Sequence, residues 1–372
     1  MILFINILLF VLGFAVVTKS SIAYIDKKSL FHKKVFYLFL ILHFGIAFFH
    51  WYWSLENGRD TVSFYNKVFL AQGWLDFFHP GSKFISFLIY PIVKLGVSYF
   101  ILFFMFSVIS FYGFLNYFRL LNSHIKNKSQ QLLYFLFLLP SFQFWSAPIS
   151  KDSLVFFLMS VLLIYLKKSN YLMLMLIFIA IGFIRPHIVV MLIFAFVLIL
   201  LLEKKLDKKN LFLAVLGFII GGYVMFKFIR LSSFSFEAIQ IKLEQFNNYS
   251  IKSGNSHIDL FTTSYAERIF ALLFRPLFID ASTVFQFFAS VENIIVLLTL
   301  AYLFVKHKLR FRSISIEAKY SLIVSVLLLL LISTYIYNLG LGSRMRLMIY
   351  PYLIYGLCLA IEEKNVYEEK AN

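Results

Sequence analysis

One cysteine, Cys358, stands in a chain of 372 residues. That excludes an intramolecular disulfide framework and a cysteine-based metal centre. Acids are scarce too, with 18 Asp and Glu against 35 Lys and Arg. Charged residues of both signs make up 14% of the chain, whereas a soluble domain carries about 25%. A phosphate-binding Walker loop, a glycine-rich dinucleotide fingerprint and a His-Glu-x-x-His pair are all missing, so an ATPase, a Rossmann enzyme or a metalloprotease finds no footing. No internal repeat and no long polar linker divides the sequence. It therefore reads as one membrane domain over residues 1–361 followed by a short tail, 362–372.

What fills the chain instead is apolar residues, 61% of the total with 20% aromatic, and a mean hydropathy of +0.84. A span needs about 20 apolar residues. Runs near 1–18, 35–53, 98–117, 132–147, 153–166, 171–185, 188–202, 211–229, 285–305, 320–339 and 347–361 meet or approach that, and 84–95 reads as a partial helix that dips into the membrane and returns. The expected fold is thus all-α, a polytopic transmembrane bundle of about eleven spans. Residues 1–18 lack a charged leader and a small-residue cleavage site, so they read as a retained span.

A net charge of +17 in a soluble protein suggests nucleic acid, but here its placement reports topology. More than half of the 35 basic residues fall in alternate loops, around Lys27 and Lys33, Arg119 and Lys128, Lys167, Lys204 to Lys209, Lys306 to Lys319, and Lys364. By the positive-inside rule those loops are cytoplasmic, which sets the N-terminus outside and the C-terminus inside. The longer loops, 54–83 and 230–284, then face out. Within the second, 236–247 carries apolar residues at helical spacing and suits a membrane surface.

Charges at membrane depth are costly and mark function by default. On this topology they gather at the outer ends of the spans. Arg59 and Asp60 follow the Trp51-Tyr52-Trp53 cluster. Lys151 and Asp152 follow Pro140 to Ser146 between two short spans. Arg185-Pro186-His187 breaks the chain between two others, Arg275-Pro276 precedes a span carrying Glu292, and Arg344 and Arg346 open the last. Arginine forks and helix N-termini are what a phosphate or pyrophosphate requires. At bilayer depth that anion is part of a lipid, and polyprenyl phosphates fit. Asp60 is placed to take a proton from a sugar hydroxyl as the lipid phosphate leaves. Each group also has a plainer reading: an exposed Arg59–Asp60 ion pair, an aromatic belt at Trp51-Tyr52-Trp53, a helix cap at Lys151-Asp152, and snorkelling anchors at Arg185, Arg275, Arg344 and Arg346. Glu292 must pair with an arginine or be protonated. His187 has no second ligand at metal spacing, so no metal site and no soluble cofactor is expected.

In layout and in these short motifs the chain resembles the multi-spanning GT-C glycosyltransferases that use polyprenyl-linked sugars, together with the Wzy-type and EpsG-type polysaccharide polymerases. Asp60, followed by Phe64-Tyr65, is similar to the acid of their first large external loop. Pro140 to Asp152 resembles their Pro-x-x-x-Phe-Trp-Ser segment ending in an acid. The resemblance implies Asp60 as base, with Arg185, His187, Arg275 and Arg344 holding the lipid phosphates, Lys151 assisting, and Arg59, Asp152, Glu292 and Arg346 in secondary roles. It implies a glycosyltransferase or polymerase of the plasma (inner) membrane. The donor would be a polyprenyl-phosphate- or pyrophosphate-linked sugar and the acceptor a glycan or lipid, in cell-surface polysaccharide synthesis. Thr61 stands where many GT-C members have a second acid, which leaves a divalent metal unsupported. The rival from the same cavity chemistry is a transporter or flippase for lipid-linked glycans; a non-catalytic membrane scaffold would tolerate loss of Asp60 and the arginines alike.

Overall fold

The computed structural model describes residues 1–26, 28–58, 60–203, 236–251, 256–307 and 314–371. All regular structure among them is helical. In chain order the helices are α1 (Ile2–Ile25), α2 (Leu30–Asn57), α3 (Asp60–Leu70), α4 (Ser82–Lys94), α5 (Tyr99–Leu121), α6 (Lys128–Phe135), α7 (Pro140–Ser146), α8 (Lys151–Lys167), α9 (Tyr171–Ile184), α10 (Pro186–Leu202), α11 (Phe236–Ile251), α12 (Tyr265–Phe274), α13 (Val284–Lys306), α14 (Ile316–Ser333) and α15 (Leu339–Ala371). Six of these are long and apolar enough to cross a membrane, α1, α2, α5, α13, α14 and α15, or up to seven if the bent pair α7 and α8 counts as one. These are the helices of a multi-pass membrane protein.

The expected span 132–147 is not one helix. Asn127 and Gln130 form a capping box that starts α6, a 3-10 turn covers Leu136–Leu138, and α7 begins afresh with Pro140 at its first position. Proline has no N–H for the preceding turn and is preorganised to start a helix, so the chain breaks there. Runs 171–185 and 188–202 do form helices, α9 and α10, of 14 and 17 residues. The run 320–339 ends early, since α14 stops at Ser333 and α15 starts at Leu339. The run 211–229 lies outside the described residues, as do 230–235 and 252–255 of the second outer loop. Segment 54–83 is largely helical, because α2 runs on to Asn57 and α3 follows directly. Gly58 makes that corner with φ at +55°, a left-handed conformation that glycine adopts without strain.

The chain divides into two compact units, residues 1–123 with 137–186, and residues 124–136 with 187–372. In the first, α5 is the central helix and packs along α8, α1 and α2. Gly113 permits the α5–α8 approach: a Cβ there would meet the Phe156 ring at 2.7 Å and the Phe157 backbone at 3.3 Å. Small residues at such crossings let membrane helices touch. Around it the core is aromatic, Phe39 lying 5.1 Å from Phe114 and Phe114 4.6 Å from Phe156. The second unit is built on α14 and α15, which pack along each other, with α12 packed against both.

Candidate functional site

In the first unit the chemistry gathers where helices break. The axis turns by 106° between α7 and α8, leaving main-chain groups of 147–150 outside any helix. In an apolar interior each must find a partner, and side chains supply them. Ser107 of α5 donates to the Ala147 carbonyl at 3.2 Å, and Ser153 to the Pro148 carbonyl at 2.8 Å. Ser150 caps α8, its Oγ accepting from the N–H groups of Asp152 and Ser153. From α2, the His43 ring meets Gln143 Oε1 at 2.8 Å and the Ser107 carbonyl at 2.9 Å. Two helical turns further on, His50 reaches the Phe144 carbonyl at 2.8 Å and stacks on the Phe144 ring. Two histidines thus pin α7 to α2.

Beside this junction lies the ion pair between Asp152, in the first turn of α8, and Arg185, at the break between α9 and α10. Both side chains are buried, 1% and 4% exposed. Ser150 is therefore the helix cap that Lys151-Asp152 was read as, and Asp152 is the partner of Arg185. Since Ser107 lies eight residues beyond Tyr99 on α5, the break sits ~12 Å along that helix from its Tyr99 end. At that same end Ser54 and Thr61 share the Tyr99 hydroxyl, at 2.7 and 3.2 Å. Asp60 opens α3 there and is exposed. Lys151, next to Asp152, is half-buried. Arg59 lies outside the described residues.

In the second unit Arg346 is the hub. It is 4% exposed and donates to the carbonyls of Leu272 at 2.6 Å and Ala271 at 3.2 Å, to that of Arg275, and to Asn293 Oδ1. Three of those acceptors are carbonyls at the C-terminal end of α12, where a cation is favoured by the helix dipole. One turn along α15, Tyr350 donates to the carbonyl of Leu273 in the same helix end. Asn293 completes the clamp by donating to the Pro276 carbonyl at 2.7 Å. Glu292, half-buried on α13 beside Asn293, is near enough for its charge to act on Arg346. Arg346 thus holds main chain.

The clamp fixes the loop that carries Arg275. Its guanidinium is 34% exposed and grips Asp280, itself 6% exposed, through Nε at 2.9 Å and Nη2 at 2.5 Å. The Arg275–Pro276 peptide is cis. Hydrogen bonds from Arg275, with one from the Leu277 N–H, hold the Asp280 carboxyl below the usual carboxylate range. A carboxylate with a lowered folded-state pKa adds stability that is present above its ordinary value of about 3.9 and lost as pH falls through the lowered one. Asp280→Asn is accordingly expected to lower the melting temperature at pH 6, by a penalty that shrinks as the pH is taken below about 4. Melting curves of both proteins across that range check it. His187, second residue of α10, is half-buried and sets its ring edge-on to Tyr335 at 6.0 Å. Arg344 is half-buried on the first turns of α15.

Sequence reasoning missed His43, His50, Asp280 and Tyr350. A signal existed for the histidines, which lie seven residues apart and so on one face of the otherwise apolar run 35–53. Among the described residues no three His, Cys, Asp or Glu side chains stand together to hold a metal ion. Fold and site together define an all-helical, multi-pass membrane protein with two buried arginine centres. No family model, no curated protein and no solved structure matches the chain.

Proposed function

We propose that this chain is a membrane glycosyltransferase or polysaccharide polymerase. It moves a sugar or repeat unit from a polyprenyl-phosphate-linked donor onto a glycan or lipid acceptor at the outer face of the plasma membrane. In this reading the bundle has about eleven spans, its N-terminus outside and its C-terminus in the cytoplasm. Asp60 takes the proton of the acceptor hydroxyl, the hydroxyl oxygen bonds to the sugar's anomeric carbon, and the bond to the lipid phosphate breaks. The phosphate leaves with the electron pair, its charge met by Lys151 and Arg185.

The observation that carries the reading is the buried Asp152–Arg185 pair at a double helix break. Charge and irregular backbone are both expensive in a membrane interior and persist where they line a reaction or transport path. The same broken helices support a second reading, a flippase for lipid-linked glycans, because transporters bind substrate at discontinuous helices.

Surface-glycan profiling separates the two, in a strain lacking the protein and complemented at matched protein level with the native chain or Asp60→Asn. The transferase reading expects the glycan restored by the native chain only, with lipid-linked precursor accumulating at the outer face in the variant. Precursor held at the inner face means a flippase. Full complementation by Asp60→Asn overturns the assignment of Asp60.

A further inference from the structure

The first unit contains a cavity of about 570 Å³ between α1, α2 and α5. Its volume falls in the range of small-molecule sites. The cavity exists because α1 leans on α5 and stands away from α2. Phe10 stacks near Phe104 at 4.9 Å, Ser20 shares a hydrogen bond with Tyr112 at 2.5 Å, and Asn6 donates to the Gly96 carbonyl at 3.1 Å. Toward α2, the Tyr24 ring of α1 meets Phe36 at 4.6 Å. On α2 the wall runs from Tyr37 to Trp51, fourteen residues or ~21 Å of helix, against a hydrocarbon core of about 30 Å. Of the candidate spans α1 is the least enclosed, with 6% of its central window buried.

The lining chemistry selects the occupant. It carries no Lys, Arg, His, Asp or Glu, which disfavours a phosphate or any other ion. Its serine and threonine hydroxyls are already committed, Thr18 donating to the Phe14 carbonyl at 2.9 Å, Ser21 to that of Val17 at 2.7 Å, and Ser107 being shared between those of Phe103 and Ala147 at 3.1 and 3.2 Å, while Tyr37, at the other end, is exposed. At the Trp51 end one neutral donor is left, the indole Nε1, shielded from solvent and with no acceptor among the described residues. A buried donor without a partner is costly, and an occupant bearing a neutral acceptor removes that cost. Tryptophan at a span end also lies at the depth where headgroups join chains.

We propose that this groove is a binding site for one acyl chain of a membrane glycerophospholipid, whose ester carbonyl accepts from Trp51 while the chain fills the space between α1 and α2. The site is independent of the transfer reaction. It makes a bilayer lipid part of the packing that holds α1 on the unit.

Native mass spectrometry of the purified full-length chain, released from phosphatidylglycerol-doped detergent micelles, tests this. The native chain is expected to retain one phospholipid. Ala47→Phe, which fills the groove, should retain none, and Ile41→Phe, on the outward face of the same helix, should retain it unchanged. Trp51→Phe keeps the ring and removes the donor, so its affinity should fall roughly two- to tenfold, the worth of one hydrogen bond. It decides the matter even where Ala47→Phe does not fold. Retention by Trp51→Phe equal to native overturns the proposal, as does displacement of the phospholipid by a polyprenyl phosphate at equal concentration, which would assign the groove to the carrier.

Discussion

Arg185→Met in the full-length chain should lower unfolding free energy by about 3–5 kcal/mol, because it removes the cation that neutralises the buried Asp152 carboxylate. Asp152 is 1% exposed and lies in the first turn of α8, where the helix dipole favours its charge but does not supply the missing partner. Asp152→Leu alone should cost about as much, by removing the carboxylate that neutralises the buried guanidinium. The double variant, with both charges gone and comparable volume restored, should recover most of the loss or exceed native stability, as replaced buried ion pairs often do. Denaturant titration in micelles, followed by circular dichroism and arranged as a double-mutant cycle, measures this directly. A transferase needs Arg185 for more than packing, so the stable double variant should still fail to restore surface glycan. Recovery of both stability and glycan would make the pair a structural element only.

Arg346→Met should be the most damaging single change in the second unit. Hydrogen bonds from a charged donor contribute about 1.5–3 kcal/mol each, and Arg346 makes them to Ala271, Leu272, Arg275 and Asn293 together. Allowing for partial compensation by Tyr350, which holds the same helix end, the expected loss is upward of about 3 kcal/mol. Arg346→Lys should recover little, since a point ammonium cannot span several acceptors that a planar fork serves at once. Because the clamp fixes the Arg275–Asp280 loop, limited proteolysis should cut between residues 275 and 283 in Arg346→Lys before any site in the native chain. Native-like proteolysis and melting in that variant would remove Arg346 from its clamping role.

Helix content and the apolar membrane class were legible from hydropathy alone, since long apolar runs without charge have few other solutions. Asp152, Arg185, Arg275 and Arg346 were legible as costly charges in apolar surroundings. Their partners were not. Asp152 finds Arg185 across 33 positions and Arg346 finds the end of α12 across more than 70, and nothing local in the sequence encodes such pairings. The 132–147 run misled for a definable reason: hydropathy averages over a window and is blind to Pro140, whose missing N–H splits the segment. Of the two readings open for Lys151-Asp152, a helix cap or a binding group, the first-turn placement of Asp152 holds, but Ser150 does the capping and the carboxylate pairs with Arg185.

The central claim, that Asp60 serves sugar transfer from a polyprenyl-linked donor, is tested most directly by transfer itself. Membranes containing the native chain or Asp60→Asn at equal level are given a radiolabelled polyprenyl-phosphate-linked sugar and a glycan acceptor, and label in the glycan is counted over time. The account predicts label transfer by the native membranes and a loss of at least about a hundredfold in the variant, the usual worth of a positioned base. Equal transfer by both, or none by native membranes that restore surface glycan in cells, would contradict it.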